Sequence, residues 1–149
     1  MGVDSDTLAG WLADYDRDNI TIGVVASHSS LQILHGARAE GFRTLGIAVG
    51  ENRRRFYQAF PGAEPDEWLM LDNYLEMMDH AEWFRERNVV IIPHGSLVEY
   101  LGSSNFRELE VPTFGNRGIL HWESSRERQR RWLEAGGCTM PKVLEDPHD

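Results

Sequence analysis

Apolar positions along the chain alternate between two rhythms. Leu8, Trp11, Leu12 and Tyr15 recur at the i, i+3, i+4, i+7 spacing of one helical face, behind the capping side chains of Asp4, Ser5 and Asp6, and predict a helix ending near Asp18. Ile20 to Ala26 is a short, β-branched apolar run, the pattern of a strand buried on both faces of a parallel sheet. Four small polar residues, Ser27-His28-Ser29-Ser30, then lead into a helical pattern through Leu31, Ile33, Leu34 and Ala37 that stops at Gly41. Strand, polar loop and helix thus follow one another within twenty-odd residues of chain.

The same unit recurs. Thr44 to Val49 predicts a second strand, followed by a loop Gly50-Glu51-Asn52-Arg53-Arg54-Arg55, and Trp68 to Leu71 predicts a third after the turn region Pro61 to Pro65. Tyr74 to Arg87 reads as one helix with Met77, Met78, Ala81 and Phe84 inward. Val89 to Ile92 is a fourth apolar strand, closed by Pro93 and the loop His94-Gly95-Ser96, and Leu97, Val98 and Leu101 predict a short helix. Gly102 to Asn105 reads as a flexible loop, and Val111 to Phe114 as a further extended piece. One long charged helix is predicted from about Gly118 to Ala135, before an extended segment Pro141 to Leu144. Regular alternation of strands and helices predicts an α/β fold with a mainly parallel sheet. The unpartnered look of that last segment and of Glu145 to Asp149 gives the expectation that the chain is the front part of a longer protein.

Composition narrows the function classes. The 149 residues carry 15 basic and 24 acidic side chains, a net charge of −9, which repels nucleic-acid phosphate and anionic lipid. No apolar run approaches the ~20 residues of a membrane span. The single cysteine, Cys138, forms neither an internal disulfide nor a structural zinc site and fits a reducing compartment, the cytoplasm. The single lysine, Lys142, leaves phosphate recognition to arginines, hydroxyls and backbone amides.

In an open parallel sheet, ligands sit outside the carboxyl ends of the strands. Two loops there concentrate small polar groups: Ser27, His28, Ser29 and Ser30 after the first strand, and His94, Gly95 and Ser96 after the fourth. Each opens a helix, so hydroxyls and free amides converge where an anion is favoured. The competing reading makes both loops ordinary N-caps with spectator histidines. Arg53-Arg54-Arg55 offers a guanidinium fork to a phosphate, or a solvated turn. Arg117 and Arg126 form a third candidate with Trp122, whose i, i+4 spacing to Arg126 suits either closing over a ligand ring or packing. His121-Trp122-Glu123 lacks the two further cysteines of a zinc deaminase site. No G-x-S-x-G elbow, G-x-x-x-x-G-K-[ST] loop, G-x-G-x-x-G fingerprint or H-x-x-x-H metal spacing occurs.

Three motifs, taken in order, resemble one family: Ser27 to Ala37 with Glu40-Gly41-Phe42; Ile91 to Ser96 with Glu99-Tyr100; and Phe114-Gly115-Asn116-Arg117 with Trp122-Glu123-Ser124 and Arg126. Over Ile20 to Asp149 the chain is similar to the N-terminal region of the PurP family, the archaeal formate-dependent synthetases of 5-formaminoimidazole-4-carboxamide ribonucleotide. The resemblance implies a Rossmann-like domain with helices on both faces of the sheet over residues 1–125, of the kind that precedes an ATP-grasp domain. Residues 126–149 would form a connecting helix and the start of that second domain. It implies a ligase of purine biosynthesis, in which ATP and formate give formyl phosphate and the 5-amino group of the aminoimidazole carboxamide ribonucleotide attacks it. ATP, magnesium and formate would serve the full-length enzyme, a homo-oligomer, while this chain alone would hold no cofactor. The family's substrate contacts carry over to His28 and Ser96. The family's arginine-bearing loop reads more like Arg-x-Pro-Tyr, whereas this chain has Arg54-Arg55-Phe56-Tyr57. Two alternatives stay open: a stand-alone nucleotide-binding or regulatory module, and a paralogous ligase acting on another phosphorylated ribonucleotide.

Overall fold

The computed structural model describes residues Gly2 to Leu144. Four parallel strands, β1 (Thr21–Val25), β2 (Arg43–Val49), β3 (Glu67–Leu71) and β4 (Val89–Ile91), pair in the order β3-β2-β1-β4. Both faces of the sheet are covered, as the continuous apolar runs of β1 and β2 require. On one face Ile22, Val24, Ala26 and Ala48 pack with Leu34 of α2 (Ser30–Ala39) and Tyr57 of α3 (Glu51–Tyr57). On the other, Val25, Leu45, Ile47 and Ile91 meet Phe84 of α4 (Ala81–Glu86), Leu97 of α5 (Gly95–Leu101) and Phe106 of α6 (Ser103–Glu108). Each of these large side chains, once fully buried, contributes about 1.5–3 kcal/mol of transfer free energy before entropy is subtracted. Gly46 of β2 is required by close approach: a Cβ there would lie 2.7 Å from Pro65 and Trp68.

Several local expectations differ from the structure, each for an identifiable reason. The N-terminal helix α1 (Ser5–Ala13), capped by Asp4 Oδ1 accepting from Thr7 N at 2.7 Å, stops before Tyr15, and a 3-10 turn follows at Arg17–Asn19. Tyr15 leaves the helical face because its buried hydroxyl donates to Val89 O at 2.8 Å, anchoring the chain to the start of β4. The expected helix over Tyr74 to Arg87 divides into a 3-10 helix, Tyr74–Met78, and α4. An Asn73/Glu76 capping box tightens the first part, and His80 Nδ1 donates to Glu76 O at 2.8 Å, taking a carbonyl that a continuous helix would use. The segment read as a flexible loop, Gly102 to Asn105, instead opens α6, with Asn105 Nδ2 donating to Leu101 O at 2.8 Å and Phe106 1% exposed.

The long helix predicted from Gly118 to Ala135 is two helices, α7 (Ile119–Glu123) and α8 (Arg126–Ala135). Ser125 is extended between them and its hydroxyl accepts from Arg128 N at 3.4 Å, the signature of a new N-cap. Val111 to Phe114 borders β4 through a single parallel bridge between Ile91 and Thr113, because Pro112 has no N–H to extend a ladder. Pro141 to Leu144 is exposed and has no regular structure, and Glu145 to Asp149 lie outside the described residues. No helix among the described residues is long and apolar enough to cross a membrane.

Candidate functional site

Strand order decides where a ligand can sit. The chain moves outward from β1 to β2 and β3, then returns to place β4 on the other side of β1. Neighbouring loops at the carboxyl ends of β1 and β4 therefore diverge and leave a crevice. The two loops that flank it are Ser27 to Ser30, opening α2, and His94 to Ser96, opening α5.

A hydrogen bond spans that crevice. His94 Nε2 lies 2.9 Å from Val25 O, and since a carbonyl only accepts, Nε2 carries the proton. The Nδ1 lone pair is then left as an acceptor, buried and without a partner among the described residues. Burial holds the His94 imidazole below its ordinary value of 6.5; the Val25 bond opposes this, and nearby His28 adds to it. His28 follows β1 and His94 follows β4, so the two histidines stand on loops at the carboxyl ends of adjacent strands. His28, Ser29 and Gly95 are exposed and Ser96 is half-buried in the first turn of α5.

Ser27 and Ser30 take a different part from the one expected. They are 1% and 0% exposed, and their side chains are satisfied inside the protein. Ser30 Oγ accepts from Ser27 N at 2.7 Å and lies 2.8 Å from Ser27 O, while Ser27 Oγ accepts from Ser29 N at 3.2 Å. The Tyr57 hydroxyl closes the network, 2.5 Å from both Ser27 O and Ser30 Oγ. Desolvation pushes the Tyr57 phenol above its ordinary value, so it serves as a fixed neutral donor. These residues set the loop's shape and leave His28 and Ser29 outside it. Neither helix takes a side-chain cap from the loops: Ser29 and His94 occupy the capping positions of α2 and α5 without such a bond, and Ser96 lies inside α5.

The candidate arginines separate. Arg54 and Arg55 lie on α3 rather than in a loop, both exposed, and Arg54 pairs with Glu51 at 3.9 Å. Arg117 is half-buried and spent internally: Nη1 donates to Leu109 O at 2.5 Å, Nη2 to Val111 O, and the guanidinium lies 5.7 Å from the Phe106 ring centroid. Arg126 is exposed and its side chain makes no hydrogen bond or ion pair among the described residues. The extended Ser125 between α7 and α8 removes the expected shared face of Trp122 and Arg126. Arg53, read with its two neighbours as one tract, differs from them in being half-buried on α3; its i, i+4 relation to the buried Tyr57 is the signal that separates it.

Magnesium finds no donor set here: among the described residues no three or more His, Cys, Asp or Glu side chains cluster to hold a metal ion. A groove of about 450 Å³, lined by Ile22, Ile33, Val90, Ile92 and Phe114, opens on the α2 face and has little to hold a polar ligand.

A family model described as "Protein of unknown function (DUF1246)" matches residues 22–144. The chain belongs to that family. It is 56% identical over 139 residues to the 5-formaminoimidazole-4-carboxamide-1-(beta)-D-ribofuranosyl 5'-monophosphate synthetase of Methanosarcina barkeri, covering 93% of this chain and 39% of that protein. The synthetase of the same name from Archaeoglobus fulgidus is 41% identical, over 100% of this chain and 41% of its own length. The chain thus spans about two fifths of the length of these relatives. Among solved structures, the biotin carboxylase domain of a single-chain bacterial carboxylase superposes with a TM-score of 0.59 at 15% identity, over 82% of this chain and 30% of that one. The phosphoribosylaminoimidazole carboxylase ATPase subunit of Aquifex aeolicus gives 0.52 at 14% identity, over 85% and 36%. At those identities the likeness shows the fold, a Rossmann-like parallel α/β domain.

Proposed function

We propose that this chain is the ribonucleotide-binding domain of an ATP-dependent ligase that formylates the 5-amino group of 5-aminoimidazole-4-carboxamide ribonucleotide. The observation that carries the reading is the pair of His/Ser loops held together across the strand-order reversal by the His94–Val25 bond. The name of the Methanosarcina barkeri relative, matched over 93% of this chain, supplies the substrate class. Within the domain, His28 and Ser96 reach the ligand from opposite sides of the crevice. Ser29 and the Gly95 backbone offer further polar contacts, and the Tyr57 network keeps the first loop in shape.

ATP, magnesium and formate belong to the longer protein. Among the described residues no donor set fits magnesium. This chain's residues bind the ribonucleotide and hold its 5-amino group toward the incoming formyl carbon. In that role His28 is a hydrogen-bonding residue. The division near residue 125 fits this reading, since α8 has no buried residue of its own. Titration calorimetry tests it: the aminoimidazole carboxamide ribonucleotide should bind at millimolar concentration or better, and His28→Ala should weaken binding by roughly 1–3 kcal/mol, the loss of a partly charged hydrogen bond. Absence of binding by the unsubstituted chain at millimolar ligand contradicts the proposal.

A further inference from the structure

The crevice between the β1 and β4 loops has polar groups but no cation in either loop. The nearest candidate comes from β2. That strand ends at Val49, and Gly50, with a φ of +79, turns the chain so that α3 starts at the same sheet edge and runs back along the α2 face. Only Tyr57 of α3 is buried. Arg53 stands one turn earlier on the same side of the helix, and side chains in a helix lean toward its N-terminus, so Arg53 rises to the sheet edge beside the Tyr57 hydroxyl.

Three further observations single it out. Arg53 is half-buried while Arg54 and Arg55 on either side of the helix are exposed. Arg53 stands in the first turn of α3, directly after the carboxyl end of β2, and its charge favours the ionised forms of two phenols from separate elements, Tyr57 on α3 and Tyr74 on the 3-10 helix that follows β3. Arg54 is balanced by Glu51, whereas the Arg53 side chain makes no ion pair or hydrogen bond among the described residues; only its backbone N–H is used, donating to Gly50 O at 3.1 Å. A partly desolvated guanidinium with no carboxylate beside it is costly until an anion arrives, and its five donors in a planar fork match a phosphate.

We propose that Arg53 is the cationic contact for the ligand's 5′-phosphate, setting the preference of this edge for a nucleotide over a nucleoside. The assignment rests on the ribonucleotide reading of the crevice given above. Arg53 stands one helical turn before Tyr57, whose hydroxyl belongs to the Ser27–Ser30 network, so a phosphate held by Arg53 joins the β1 loop to α3.

The test compares the chain's affinity for the aminoimidazole carboxamide ribonucleotide, for the corresponding riboside and for inorganic phosphate, in the unsubstituted protein, Arg53→Gln, Arg53→Lys and Arg43→Gln. Arg43 is exposed at the start of β2, on the opposite sheet edge, and controls for the change in net charge. Expected results are a nucleotide affinity lowered about 10- to 100-fold by Arg53→Gln, a smaller loss with Arg53→Lys, weaker phosphate binding in both, and unchanged riboside binding. Arg43→Gln should bind like the unsubstituted chain. If the unsubstituted chain prefers nucleotide to riboside and Arg53→Gln keeps that preference, the assignment of Arg53 is overturned and the crevice reading stands. If the unsubstituted chain shows no such preference, Arg53 is again overturned. If it binds neither compound, the crevice reading itself fails. Circular dichroism of each variant separates loss of contact from loss of fold, and Arg53→Lys decides the matter should Arg53→Gln unfold.

Discussion

Tyr57→Phe isolates the hydroxyl that ties α3 to the β1 loop. The ring stays, keeping its edge contacts to Phe56 at 5.7 Å and Trp68 at 5.2 Å between centroids. What is removed is one hydroxyl shared between Ser27 O and Ser30 Oγ, each at 2.5 Å. A neutral hydrogen bond is worth about 0.5–1.5 kcal/mol net, and more when a buried partner is left bare. Here neither partner is bare: Ser27 O keeps Ser30 Oγ at 2.8 Å, and Ser30 Oγ keeps Ser27 N at 2.7 Å. The expected loss is therefore about 1–2 kcal/mol. At about 2–4 °C per kcal/mol for a chain of this size, the melting temperature should fall by roughly 2–8 °C. Urea denaturation followed by tryptophan fluorescence gives the free energy directly. The loosened loop should also weaken ribonucleotide binding a few-fold, since part of the binding energy must then order it. A stability change under ~0.3 kcal/mol, or one as large as that of Tyr57→Leu, refutes the argument: the first would mean that the hydroxyl holds nothing, and the second that the ring alone carries no weight.

Other consequences are open to the same instruments. His94 has a folded-state value below its unfolded 6.5, so the unfolded chain takes up the proton first; the associated stability is complete above pH 6.5 and is lost as the pH falls below it toward the folded value. Comparing urea midpoints at pH 7.5 and 5.5 should show a smaller drop for His94→Gln, which keeps a donor for Val25 O, than for the unsubstituted chain, and equal drops would contradict the assignment. Arg117→Met removes the donors to two buried carbonyls, Leu109 O and Val111 O, and should destabilise the chain by about 1.5–3 kcal/mol in urea unfolding. Gly46→Ala puts a methyl group 2.7 Å from Pro65 and Trp68 and should lose about 1–3 kcal/mol through overpacking, read as a lowered melting temperature. Without a metal-holding cluster among its described residues, the chain by itself should release no ADP from ATP with formate, magnesium and the ribonucleotide present.

The sheet was legible in the sequence because its strands are buried on both faces: Ile22 to Ala26 and Leu45 to Ala48 have no polar side chain to confuse the period. The helix breaks were harder. At Asp79-His80 and Ser124-Ser125 the residues continue an acceptable helical composition, and what interrupts it is a side chain taking a backbone partner, His80 at Glu76 O and Ser125 at Arg128 N. Helix α3 escaped because it buries one residue, so no apolar periodicity marks it. The loops after β1 and β4 were picked out by composition alone, but composition does not tell an inward serine from an outward one. Ser27 and Ser30 turned in because the buried Tyr57 hydroxyl, 27 positions beyond Ser30, needed partners.

The central claim, that the crevice between the β1 and β4 loops receives the ribonucleotide, is tested most directly by mapping amide chemical shifts of the isotopically labelled chain during titration with 5-aminoimidazole-4-carboxamide ribonucleotide. The account predicts saturable shifts concentrated at His28, Ser29, Gly95 and Ser96, lost together in the His28→Ala, Ser96→Ala double variant while the rest of the spectrum is preserved. Shifts concentrated instead on Ile33, Val90 and Phe114 around the apolar groove, or no shifts up to millimolar ligand, would contradict it.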